Sequence, residues 1–154
     1  VYIRLTGGLN CPIVYKEEFD YVIGCANTVR EGEDIVIFAT GVMVYQALLV
    51  ADILQEQEVR VKVVDMHSIK PIDINAIRDN QSAKLFVSIE EHNVIGGLGG
   101  AIAEVLSEFT AYPKLLRLGI HDVFNIAGEY ENLLGQNRLL PQQLAEDIMG
   151  KYKG

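Results

Sequence analysis

A strand, a glycine-rich turn and a helix follow one another in residues 84–109, KLFVSIEEHNVIGGLGGAIAEVLSEF, and this stretch constrains the rest of the chain. Leu85, Phe86, Val87 and Ile89 form a short apolar run that ends at two carboxylates, Glu90 and Glu91. Such a run reads as a strand covered on both faces, the condition of a parallel sheet. From Ala101 the period changes: Ala101, Ile102, Val105, Leu106 and Phe109 are apolar while Glu104, Ser107 and Glu108 are polar, so one face of a helix packs inward. The loop between them, residues 90–100, sits at a strand's carboxyl end and a helix's amino end, where open α/β sheets favour ligands.

The glycines of that loop allow two readings. One is a dinucleotide cradle, in which glycines let the backbone approach a pyrophosphate and the helix dipole favours an anion. Its spacing is wrong, because Ile102 stands where the fingerprint needs Gly or Ala after Gly97-Leu98-Gly99, and several residues separate the strand from the first glycine. The other is that the glycines let a helix pack closely on its sheet or on a neighbouring surface.

The same alternation runs along the chain. Residues 1–5 read as a strand and residues 6–12, with Gly7, Gly8 and Pro12, as a turn or linker. Tyr21, Val22 and Ile23 suggest a short strand at a sheet edge. Residues 34–39 are an apolar strand, Thr40-Gly41 a tight turn, and residues 42–57 a helix with Val44, Leu48, Ala51 and Leu54 at helical spacing. Residues 59–64 make the next strand, and residues 74–78 a short helix that Asp73 can cap. Residues 114–118 form a further strand, followed by a glycine-punctuated stretch. Pro141 then opens a last helix with Lys151 and Lys153 at its negative end. The fold class is α/β: a three-layer, mostly parallel open sheet with helices on both faces and one antiparallel edge strand.

With 154 residues the chain can form one domain that removes about two thirds of its extended surface from water. A net charge of -8, with Lys and Arg scattered, speaks against nucleic-acid or acidic-membrane binding. Cys11 and Cys25 carry neither a CxxC motif nor metal-ligand spacing, no apolar run nears a membrane span, and no basic-then-apolar leader opens the chain, so a cytoplasmic setting is expected. Val1 sits inside an apolar run in place of Met, which suggests part of a longer polypeptide.

Parallel strands end on one side, which places Thr40, Gly41, His67, Glu90, Glu91, His92, His121 and Asp122 along one rim. Histidines and carboxylates are competent metal ligands, but no pair here has the short spacing that prearranges a site. His92, beside Glu91, could shuttle a proton or bond the loop backbone; His121-Asp122 could be an oriented base or an Asp turn. The serines lack a nucleophile elbow and neither cysteine neighbours a histidine.

These motifs add up to a resemblance. Arg30-Glu31-Gly32-Glu33-Asp34 leads into Ala39-Thr40-Gly41, and Val64-Asp65-Met66-His67-Ser68-Ile69-Lys70-Pro71-Ile72-Asp73 follows. Then come Glu90-Glu91-His92 with Gly96-Gly97-Leu98-Gly99 and Ala103-Glu104, and Gly119-Ile120-x-Asp122-x-Phe124 with Gly128. The chain resembles the C-terminal domain of transketolase-like, thiamine-diphosphate-dependent enzymes, and the transketolase C-terminal section more than deoxyxylulose-phosphate synthase or the 2-oxoacid dehydrogenase β subunit. The resemblance implies that residues 1–15 are the tail of a preceding pyrimidine-binding domain with its linker, and residues 16–154 the C-terminal domain. It implies two-carbon ketol transfer between sugars in the full protein, in carbohydrate metabolism of the pentose phosphate kind. Thiamine diphosphate and Mg2+ would be held by N-terminal domains or a separate subunit, and none of the catalytic, cofactor or metal ligands would be in this chain, which alone would be inactive. Its role would be structural, within a homo-oligomer, a dimer. Glu91, His92, Gly96, Gly97, Gly99, His67 and His121 would form an interface or substrate-rim loop. Gly7 stands where such enzymes place a phosphate-gripping arginine, which bears on the substrate. The alternatives are a partner-docking domain of a 2-oxoacid dehydrogenase β-type subunit, or a deoxyxylulose-phosphate synthase-like C-terminal domain.

Overall fold

The computed structural model of the chain describes residues 2–3 and 12–154; most of the strand expected at residues 1–5, most of the 6–12 turn, Gly7 and Cys11 lie outside the described residues, and residues 2–3 carry no strand. Strands β1 (Asn27–Arg30), β2 (Ile35–Ala39), β3 (Val61–Asp65), β4 (Leu85–Asn93) and β5 (Lys114–Ile120) form one sheet in the order β1-β3-β2-β4-β5. β2 pairs in parallel with β3 and β4, β4 with β5, and β1 runs antiparallel to β3 at the edge. The five helices are α1 (Met43–Gln55), α2 (Ile74–Arg78), α3 (Leu98–Ser107), α4 (Tyr130–Gln136) and α5 (Pro141–Lys153).

Side chains alternate across a strand, so one apolar run feeds two cores. Ile35 and Ile37 of β2, with Val87 and Ile89 of β4, pack under α1 and α5, where Val44, Ala47, Leu144 and Ile148 meet them. Val36, Phe38 and Phe86 face the other way, against Ile77 of α2 and Leu98, Ile102 and Leu106 of α3. The expected three layers are therefore present, and every residue of β2 is buried.

Local chemistry sets the helix boundaries. The Asp73 side chain accepts from the Ala76 backbone N–H at 3.0 Å, as its capping position requires, and its other oxygen accepts from the Ala26 N–H at 2.8 Å. Pro141 opens α5, and the Gln143 amide oxygen reaches back to the Leu140 N–H.

The sheet's amino edge explains the Glu31-to-Asp34 motif structurally. A Cβ on Gly32 would lie 2.3 Å from the Val61 carbonyl carbon, so only glycine lets this turn touch β3. The Asp34 carboxylate accepts from the Arg60 N–H at 3.0 Å and from Lys84 Nζ at 2.9 Å, tying the starts of β2, β3 and β4 together. The Arg60 backbone bond, and then Lys84, hold this carboxyl below the usual range.

Three expectations are corrected. Tyr21, Val22 and Ile23 are exposed loop; the antiparallel edge strand starts at Asn27, where the chain meets β3. β4 does not stop at its first carboxylate but runs to Asn93, because Asn93 still pairs with Ile120 of β5 beyond a register shift. A further helix, α4, stands in the glycine-punctuated stretch before Pro141.

Candidate interface at the carboxyl edge of the sheet

Phe86, Ser88 and Glu90 occupy the β4 face toward α3, so Glu90 enters the sheet interior at the helix's amino end. It is 1% exposed. Its carboxylate accepts from the Leu98 N–H at 2.8 Å and the Gly99 N–H at 2.9 Å, satisfying two amides that α3 leaves open. The glycines make room for this clamp. A Cβ on Gly97 would sit 1.9 Å from Glu90 Oε2, one on Gly99 would sit 2.5 Å from Ser88 Oγ, and Gly96 has φ +76. Gly119 of β5 passes the same side chain, since a Cβ there would lie 3.0 Å from Glu90 Cγ.

The anion position at this helix terminus is thus filled by the chain's own carboxylate. A pyrophosphate at this terminus would have to displace the Glu90 side chain, and the close approach of the glycines to it is the geometry that the close-packing reading describes. Among the described residues no three or more His, Cys, Asp or Glu side chains gather to hold a metal ion.

The rim residues do not form one centre. Glu91, half-buried, accepts from the Tyr130 hydroxyl at 3.0 Å, which ties β4 to α4. His92 and His121 are exposed, and so is Asp122. His67 follows β3, and strand order places β3 two spacings from β4 and three from β5, about 10 and 14 Å at the usual strand separation. His67 therefore stands apart from His92 and His121, which lie at the ends of two neighbouring strands.

His67 belongs to a second polar group that sequence reading did not single out. The Tyr15 hydroxyl donates to Asp65 Oδ2 at 2.7 Å, the Tyr21 ring lies 4.4 Å from the His67 ring, and His67 Nδ1 is 3.3 Å from Ser68 Oγ. Burial pushes the Asp65 carboxyl up, opposed by the Tyr15 hydrogen bond and by His67. Burial and then Asp65 push the Tyr15 hydroxyl up to about 12. The pairing spans 50 residues, which is why no local pattern announced it.

Between the end of β5 and α4 lies a cavity of about 100 Å³, walled by Glu91, Ile120, Asn125, Tyr130 and Leu133. It has room for a few waters, at about 30 Å³ each, and not for a substrate-sized molecule. The edge around it instead presents apolar side chains to solvent: Ile95 is 68% exposed, and Val123, Phe124 and Ile126 are exposed with it. Such an edge can cover or be covered by another surface; it encloses nothing.

No helix among the described residues is long and apolar enough to cross a membrane. The sequence model of the family "Transketolase, C-terminal domain" matches residues 24–142. The chain is 39% identical over 155 residues to a Methanocaldococcus jannaschii protein described as a transketolase C-terminal section, covering 99% of this chain and 48% of that one. It is 41% identical over 131 residues to a 6-deoxy-6-sulfo-D-fructose transketolase subunit of a Clostridium species, covering 83% of this chain and 39% of that one. Among solved structures, a split-gene transketolase described as an inactive β4 tetramer superposes with a TM-score of 0.82 at 34% identity, over 92% of this chain and 46% of that one. The chain thus spans less than half the length of each of these relatives. With the family matched across β1 to the start of α5, and with the Glu90 clamp and its glycines inside the matched region, the chain belongs to the transketolase C-terminal domain family.

Proposed function

We propose that this chain is the assembly-supporting lobe of a transketolase-like enzyme whose chemistry is carried by other domains or a separate subunit. The full enzyme transfers a two-carbon ketol unit between sugars, in carbohydrate metabolism of the pentose phosphate kind and in the cytoplasm. Thiamine diphosphate and Mg2+ are held outside this chain and supply the carbanion chemistry. The carboxyl edge, with Glu91, His92, Gly96, Gly97, Gly99, His67 and His121, forms a contact surface for the cofactor-binding part and for a second copy in a dimer. Residues 1–15 are the exit of the preceding domain. The observation that carries this reading is the Glu90 clamp: the amino end of α3, at the carboxyl edge of the sheet, is already occupied by a buried carboxylate. The exposed apolar side chains beside it support a partner surface.

Calorimetry of thiamine diphosphate with Mg2+ against this chain alone, and a ketol-transfer assay with and without a cofactor-binding half, test it. The expected result is no cofactor binding and no turnover alone, with turnover restored on mixing. Micromolar cofactor binding by this chain alone would contradict it.

A further inference from the structure

We propose that residues 12–26 form a latch over the carboxyl end of β3, closed jointly by Tyr15 on Asp65 and Tyr21 on His67, and that it opens without unfolding the sheet. The segment has no helix or strand, and Ile13, Phe19, Tyr21, Val22 and Ile23 on it are exposed. Segments with so little buried apolar surface open locally at lower cost than the core does. At its far end it is fixed, because the Ala26 N–H donates to Asp73 at 2.8 Å, and Gly24 approaches Pro71 so closely that an added Cβ would lie 2.9 Å from Pro71 Cγ. Nearer its start, Val14 packs on the core and the Tyr15 and Phe19 rings stack with centroids 3.7 Å apart.

The closed state is balanced, not deeply favoured. It gains a hydroxyl–carboxylate bond of 2.7 Å and a tilted ring contact of 4.4 Å. Against these stands a buried atom without a hydrogen-bond partner among the described residues, His67 Nε2. Buried polar atoms left unpaired favour any motion that returns them to water. Asn27 stands opposite Asp65 in the β1–β3 register, so the segment closes over one end of β3. Because the two tyrosines touch residues only two positions apart, loss of either contact loosens the other. Opening presents Asp65, His67 and Asn27 at the sheet edge. The latch rests on this geometry and not on the identity of the whole enzyme.

The test uses the 154-residue chain and its Tyr21→Ala and Tyr15→Phe variants. Trypsin cleavage after Lys16 reads opening, NMR titration of the Tyr15 ring reads closure, and amide exchange in β2 and β4 reads the sheet. Tyr21→Ala is expected to speed cleavage about tenfold and to move the Tyr15 titration down from about 12 toward its ordinary value near 10, with β2 and β4 exchange unchanged. Tyr15→Phe is expected to speed cleavage by a similar factor. The latch is overturned if Tyr21→Ala leaves Tyr15 titrating as before, if Tyr15→Phe leaves cleavage unchanged, or if sheet exchange rises together with cleavage.

Discussion

The turn from β4 into α3 and the connection from β5 to α4 leave the same edge of the sheet and end in opposite conditions. In the first, a buried carboxylate meets two backbone amides and glycines close around it. In the second, residues 121–129 are all exposed, and Val123, Phe124 and Ile126 face solvent. One turn is complete within the chain; the other offers apolar surface that the described residues do not cover. At one turn a position suited to a small anion holds the chain's own carboxylate, and at the other the exposed apolar side chains have the character of a surface that meets another protein.

The contrast can be broken most sharply at its buried half. Glu90→Ala would leave the Leu98 and Gly99 amides unpaired in the interior and open a cavity, for an expected loss of about 3 kcal/mol, while Glu90→Gln, which still accepts one bond, should lose less. Urea unfolding checks both, and equal effects of the two substitutions would contradict the clamp. Gly97→Ala pushes a methyl group into Oε2 and should cost about 2 kcal/mol by the same assay, with the loss reduced but not abolished in a Glu90→Ala background, since the methyl would still lie 2.8 Å from the Asn93 carbonyl oxygen.

Asp34 supplies a comparison from the opposite, amino edge, where satisfaction depends on charge. Its carboxyl titrates below the ordinary value in the folded state, so its contribution is present above the unfolded value near 4 and is lost as pH falls through the folded one. Asp34→Asn should cost about 1 kcal/mol at pH 7, and the gap in urea midpoint from the parent should narrow as the pH falls below the ordinary carboxylate range. At the exposed half, Phe124→Ser should change stability by less than about 0.5 kcal/mol and weaken association with the cofactor-binding half. A large loss of stability there would show that the segment is internal architecture after all.

Much of the fold was legible because local signals agreed with the tertiary outcome. The five apolar residues of β2, the helical spacing of Val44, Leu48, Ala51 and Leu54, the Asp73 cap and Pro141 each name an element without reference to distant partners. The edge strand was misplaced because Tyr21, Val22 and Ile23 have the composition of a strand, whereas Asn27–Arg30 is a strand by virtue of its pairing with β3. α4 was missed for a similar reason: its first turn is exposed, and Leu134 is the residue it buries. The site was half legible. Its glycines and carboxylates stood out, but a carboxylate after an apolar run reads as the sheet's solvent edge, while Glu90 turns inward because two helix amides wait for it. Glu followed by Gly-Gly-Leu-Gly at a strand end is the signal that could have revealed it. The Tyr15–Asp65 bond left no local trace at all.

The account turns on whether the amino end of α3 is closed by Glu90. NMR of the Leu98 and Gly99 amides, titrated with thiamine diphosphate and Mg2+ and separately with NAD or ATP, addresses this directly. The expected result is that both amides keep their shifts and slow exchange at millimolar ligand and lose that protection in Glu90→Ala. Saturable ligand-induced shifts of these two amides in the parent chain would contradict it.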